Sequence, residues 1–177
     1  MEAMEPRTLT ALLDLPGFEV VDAVSDQKSK VRRLTVVATE VAAVCPHCSV
    51  LTSERHACYD RDMVDLPLGG WKTELVVHLF QFKCRACDKF FSPRSLLLAP
   101  GAHATERFLE RLARLATDGD VLTAARYLGV PEKNAERWYY DYLKRQTEDA
   151  ARTLKPVQCL GIDELSLKKG TGNTFAC

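Results

Sequence analysis

The chain has 177 residues, 46% of them hydrophobic and 27% charged, with 24 Lys and Arg balanced by 24 Asp and Glu. That composition belongs to a folded protein and excludes a disordered tail, while a net charge of zero withholds the global basic field that many nucleic-acid binders carry. The length admits one ordinary domain or two or three small ones. The longest apolar runs, such as Val41 to Val44 and Leu96 to Ala99, fall far short of the roughly 18 residues that a membrane span needs. The N-terminus lacks a basic stretch followed by a long apolar run, so no secretory signal is expected. A soluble cytoplasmic protein with no membrane partner is the expectation.

In chain order, residues 1–30 hold an apolar patch from Leu9 to Leu15, then Pro16-Gly17 and a polar stretch from Ser25 to Lys30. The segment predicts a helix or strand that packs on the neighbouring elements, and it has no assigned task. Val31 to Val44 and, more clearly, Trp71 to Phe82 alternate as strands do. Pro67-Leu68-Gly69-Gly70 predicts a turn ahead of the second strand, and Ser92-Pro93 an exit from the second cysteine pair. From residue 101 to 156 the spacing is helical, with Phe108, Leu109, Leu112, Leu115 and Ala116 on one face. Boundaries are expected near residues 100 and 156. After Pro156 a short apolar strand delivers Asp163 and Glu164, followed by a Lys-Lys-Gly turn.

Four of the seven cysteines fall into two Cys-x-x-Cys pairs, Cys45-Pro-His-Cys48 and Cys84-Arg-Ala-Cys87. Two such turns brought together supply four thiolates in a tetrahedron, the closed shell of a structural Zn2+ site. An all-sulfur tetrahedron also fits iron. The rival chemistry is redox, since Cys-Pro-His-Cys suits a disulfide oxidoreductase, but such a site needs its first cysteine at a helix N-terminus. The next residues, Ser49 to His56, do not form an amphipathic pattern. His47, His56 and Cys58 are near enough in sequence to substitute as ligands, or are ordinary loop residues beside a complete four-cysteine site.

Val121 to Val130 followed by Pro131 to Trp138 has the spacing of a helix-turn-helix. Ala125 permits close approach, Gly129 takes the turn, and Ala124, Leu128, Val130, Ala135 and Trp138 form the shared seam. The second helix, about Lys133 to Arg145, would then lie in the major groove of double-stranded DNA. Lys133, Asn134 and Arg137 are candidates for base or phosphate contact, with Lys144, Arg145 and Arg126 for backbone contact. Trp138, Tyr139 and Tyr142 are expected in the core. The competing reading is a plain three-helix bundle with a solvated charged face, and ten Lys or Arg against nine Asp or Glu in residues 101–156 do not decide between them.

The order of these parts resembles the N-terminal portion of transposases of the ISL family of bacterial insertion sequences. The resemblance is carried by Cys45-Pro-His-Cys48, Arg61-Asp-Met-Val-Asp-Leu-Pro-Leu68, Phe82-Lys-Cys84-Arg-Ala-Cys87 and Phe90-Phe-Ser-Pro-Arg94. It continues through the helix-turn-helix at 121–138 and Leu160-Gly-Ile-Asp163-Glu-Leu-Ser-Leu-Lys-Lys-Gly170. It implies that the N-terminal modules bind the terminal inverted repeats of the element, at the bacterial nucleoid. It also implies that Asp163 is the first acid of a DDE triad on a ribonuclease-H-like domain, whose three carboxylates hold Mg2+ or Mn2+ in a full-length relative. Two departures stand out: His78 to Lys83 is not rich in arginine, and only 14 residues follow Asp163, leaving no sequence for the second and third acids.

The expected fold is therefore α+β. A β-rich zinc-knuckle domain (31–100) is followed by a helix-turn-helix domain (101–156) and a truncated ribonuclease-H-like strand pair (157–177), after an unassigned segment (1–30). The expected function is DNA recognition without catalysis by this chain alone. The alternative is a standalone zinc-dependent regulator or interaction module, in which the exposed edges of Val157 to Asp163 and Thr174 to Cys177 invite association, homo-oligomers included.

Overall fold

The computed structural model describes residues 6–95 and 97–153. Asp163 and the strands expected around it lie outside these residues.

The described chain is mixed α and β, built on one five-stranded sheet. Helix α1 (Pro6–Leu13) begins on a proline, whose missing N–H costs nothing at a helix start, and buries Leu9 and Leu13 one turn apart. Strand β1 (Phe18–Asp26) and strand β2 (Val31–Ala38) form an antiparallel hairpin. Its turn is closed by Asp26, whose carboxylate accepts from Lys28 N (2.9 Å) and Ser29 Oγ (2.6 Å). Part of the unassigned segment is thus an edge strand of the sheet.

The strand expected over Val31 to Val44 is interrupted. It ends at Ala38, and the two-residue strand β3 (Ala43–Val44) pairs instead with β4 (Leu51–Thr52) in a separate small hairpin that carries the first cysteine turn. Strand β5 (Arg55–Leu68) is long and was not evident in the sequence; strand β6 (Trp71–Lys83) was. The two are joined by Gly69-Gly70, both at positive φ (63° and 78°), the two-residue hairpin geometry that glycine accepts without strain. Pro67, which has no N–H to give the ladder, sits where the β5–β6 register shifts.

Strand β6 is the spine. It pairs with β2 in parallel along Lys72 to His78 and with β5 antiparallel along its length, and at its far end β7 (Phe90–Phe91) takes over from β2. One face of the sheet presents Phe18, Val20, Leu34, Val36, Met63, Leu75 and Val77, which α1 covers with Leu9 and Leu13, joined by Leu15 just beyond the helix, to form the first core. Each such buried side chain contributes about 1.5–3 kcal/mol.

The helical part comprises α2 (Glu106–Asp118), α3 (Val121–Leu128) and α4 (Glu132–Thr153). Thr105 and Asp120 cap α2 and α3 by accepting from Phe108 N and Thr123 N, satisfying amides that a helix start leaves open. Gly129, in the left-handed region at φ 68°, ends α3. The expected seam of Ala124, Leu128, Val130, Ala135 and Trp138 is buried in a second core with Phe108, Leu109 and Leu112. Trp138 meets Phe108 edge-on (88°, centroids 6.2 Å apart), while Tyr139 and Tyr142 pack partly buried against it.

The helices are fastened to β5. Val64 N donates to His103 O (2.9 Å) and Thr105 N to Val64 O (3.0 Å). Arg61 donates to the carbonyls of Ala99 and Ala102 (2.8 and 2.7 Å). At the centre is Asp65, its side chain fully buried. It accepts from Thr105 Oγ1 (2.6 Å) and Arg107 Nε (2.8 Å), and forms a second, close contact with Arg107 Nη2. Arg107 also donates to Leu13 O (2.8 Å) and Asp14 O (2.7 Å), so one guanidinium joins α1, β5 and α2.

Candidate functional site

The two cysteine turns are built alike. After Cys45, Ser49 N donates back to Cys45 O (2.9 Å), Cys45 N donates to Val50 O (2.9 Å), and Ser49 adopts φ 60°. After Cys84, Asp88 N donates to Cys84 O (2.8 Å), Cys84 N donates to Lys89 O (2.9 Å), and Asp88 adopts φ 55°. Each turn holds two sulfurs on one side, with peptide N–H groups pointing toward them, as His47 N points at Cys45 Sγ (3.5 Å).

The turns face each other. Thr52 Oγ1 donates to Lys83 O (2.9 Å) and Lys83 N to Glu54 O (2.9 Å), drawing the β3–β4 hairpin onto the end of β6. Phe82, Phe91 and Ala43 close a small third core around Cys45 and Cys84, both fully buried. All four sulfurs lie within 4.8 Å of one another. The closest pairs cross between turns, Cys45 to Cys87 at 3.7 Å and Cys48 to Cys84 at 3.5 Å. Zinc–sulfur bonds of about 2.3 Å put the corners of a tetrahedron about 3.8 Å apart, so the arrangement fits a four-thiolate ion.

The crowding of the sulfurs also shapes their ionisation. The Cys87 N–H, donating to Cys84, is the largest influence bringing that thiol down to about 7. At Cys48 the Val50 N–H pulls downward, yet the Cys84 sulfur, burial and the sulfurs of Cys87 and Cys45 push it up to about 12. Crowded thiols resist ionising together unless a positive ion balances them. A bound zinc would supply a cross-link between the two turns and no open coordination position. Redox chemistry lacks its setting here, because Cys48 is followed by strand β4 and not by a helix. His47, His56 and Cys58 stand outside the four-sulfur cluster, and His56 instead lies tilted against Phe90 (centroids 4.3 Å apart, 43°).

The DNA-contact candidates separate into three groups. Lys133, Arg137 and Lys144 are exposed and make no ion pair among the described residues. With Tyr140, also exposed, they are spaced four, three and four residues apart, a single exposed stripe along α4 in which Arg137 also borders the cleft toward the sheet. Asn134 is half-buried and turned toward the sheet. Arg145 is engaged with Glu106 (2.5 Å) and packs near Tyr142, while exposed Arg126 lies 3.7 Å from Glu132. Tyr140 and Arg107 were not singled out from sequence, and Arg61 and Asp65 appeared only within the Arg61–Leu68 motif, with no role of their own.

Among the described residues no helix is long and apolar enough to cross a membrane. No curated protein and no solved structure matches the chain. Residues 42–87, from just before the first cysteine pair to the last cysteine of the second, match the family model described as the zinc-finger of transposase IS204/IS1001/IS1096/IS1165, which supports a transposase N-terminal region with structural zinc.

Proposed function

We propose that this chain is the DNA-binding part of an ISL-family transposase and recognises the terminal inverted repeats of an insertion sequence. The observation that carries the reading is the four-sulfur cage at Cys45, Cys48, Cys84 and Cys87 inside a segment similar to a transposase zinc-finger. In this reading residues 31–100 form a zinc-held β unit and residues 101–156 a helix-turn-helix, with α4 entering the major groove. Lys133 and Arg137 are its leading contacts and Lys144 a phosphate contact, Asn134 lies at its inner border, and Arg126 and Arg145 act at the rim after releasing their acidic partners. Strand transfer is assigned to acids beginning with Asp163, with Mg2+ or Mn2+ in a full-length relative.

The test is selection from a random duplex pool with zinc-loaded protein. Enrichment of one sequence is expected, with affinity falling steeply as salt rises. Alanine at Lys133 or at Arg137 should weaken binding by about 1–3 kcal/mol for each base that the side chain reads. Binding that survives alanine at Lys133, Asn134 and Arg137 together refutes α4 as the reading helix. A second reading, a protein-interaction module, draws on the unpaired outer edge of β1 with exposed Val21 and Val24; it expects no enriched sequence.

A further inference from the structure

The sheet face opposite α1 carries Arg33, Glu74 and Val64 side by side on three neighbouring strands. Over this row lie the α3–α4 turn and the start of α4. They leave an open cleft of about 470 Å³ with Arg33, Lys72 and Glu74 on the sheet side and Asn134, Arg137 and Trp138 on the helix side. The walls are close at the turn, where a Cβ placed on Gly129 would sit 3.9 Å from Lys72 Cδ. Glu74 accepts from both Arg33 and Lys72 at 2.9 Å, tethering the two cations to one carboxylate. Asp62 and His103 complete the charged and titratable lining, His103 Nδ1 lying 2.8 Å from the Asp62 carbonyl. Three cations thus face two carboxylates, and Arg137 is uncompensated. Trp138 adds an independent observation. Its indole Nε1 is the one buried side-chain nitrogen or oxygen without a partner among the described residues, and the residue is among those lining this cleft.

We propose that the cleft takes a phosphodiester of the same duplex that α4 engages, an inference that rests on α4 being a DNA-binding helix. Arg137 meets the phosphate from the helix, and Lys72 and Arg33 meet it from the sheet. Trp138 N–H becomes a donor once the Asn134 or Arg137 side chain turns aside. The cleft is larger than a single phosphate needs and is open to solvent, which suits a continuous backbone better than a free anion. The β unit therefore acts as a second jaw on the DNA as well as a scaffold.

The experiment uses the full zinc-loaded chain and a selected duplex, with affinity followed across a salt series. Lys72→Ala should weaken binding to all sequences alike and reduce the slope of log affinity against log salt by about 0.9, whereas Glu74→Gln should tighten binding. The Trp138 indole resonance, assigned with Trp71→Phe, should move on adding duplex and stay in place with inorganic phosphate alone. If Lys72→Ala and Glu74→Gln both match the parent while alanine at Lys133 and Lys144, which lie outside the cleft, abolishes binding, the cleft is refuted and the DNA reading stands. If the parent retains no duplex, both fall. If inorganic phosphate moves the indole as far as duplex does, the cleft is a free-anion site and the proposal is overturned.

Discussion

Replacing Asp65 with alanine should lower stability by about 3–5 kcal/mol, the usual consequence of removing one partner from a buried ion pair. The carboxylate is fully buried, and three donor contacts converge on it from Thr105 and Arg107. Its removal leaves the buried Thr105 hydroxyl and the inner edge of the Arg107 guanidinium without an acceptor, while Arg107, whose outer part already meets solvent, stays tied to Leu13 O and Asp14 O. Asp65→Asn keeps an acceptor for Thr105 but loses the charge, and should cost about half as much, near the 1.5–3 kcal/mol of a charged hydrogen bond. Against a total stability of about 5–15 kcal/mol, the alanine variant is severe. Urea unfolding of zinc-saturated protein, followed by Trp138 fluorescence in a Trp71→Phe background, measures both variants. An alanine variant within about 1 kcal/mol of the parent, or indistinguishable from the asparagine variant, would refute the view that this pair holds the helices to the sheet.

Purified protein should contain one zinc per chain, with Cys45, Cys48, Cys84 and Cys87 protected from alkylation until a chelator is added; exposed Cys58 should label at once, and mass spectrometry of the labelled peptides checks both. Gly129→Ala should destabilise by about 1–2 kcal/mol through its left-handed φ alone, since the added Cβ meets nothing closer than 3.9 Å; a thermal melt unchanged from the parent would contradict this. The Asp120 carboxyl is held below the ordinary aspartate range by hydrogen bonds from the Thr123 side chain and backbone. Its contribution to the start of α3 is therefore fully present above that ordinary range, about pH 4, and is lost as pH falls through the depressed folded value. Hydrogen exchange at Thr123 should accelerate on acidification in the parent and be insensitive to pH in Asp120→Asn, after correction for intrinsic exchange.

The elements legible in the sequence are those whose determinants are close together along the chain. The cysteine turns announce themselves within four residues, and the α3–α4 unit within eighteen, from Val121 to Trp138, because helical period, a glycine at the turn and small residues at the crossing all agree. Strand β5 was hidden because two of its inward positions, Arg61 and Asp65, are charged, and the groups that satisfy them, at Ala99, Ala102, Thr105 and Arg107, come roughly 40 residues later. Strand β1 was hidden for a different reason: beyond Val20 it is exposed on both faces, so its burial carries no period. Among the DNA candidates, residue type alone put Arg145 beside Lys144, whereas the fold gives Arg145 an acidic partner on α2 and leaves Lys144 with none among the described residues.

The continuity of β6 sets a length. Lys72, at the mouth of the cleft, is the second residue of one uninterrupted run of extended backbone, and Cys84, at the four-sulfur cage, directly follows its end. Twelve residue steps at about 3.3 Å each span about 40 Å, slightly more than the 34–36 Å of one turn of duplex DNA. The strand thus keeps the cleft and the four-sulfur cage a fixed distance apart, and on the proposed DNA reading a duplex touching both would show protection that recurs on the same face of the helix after one full turn.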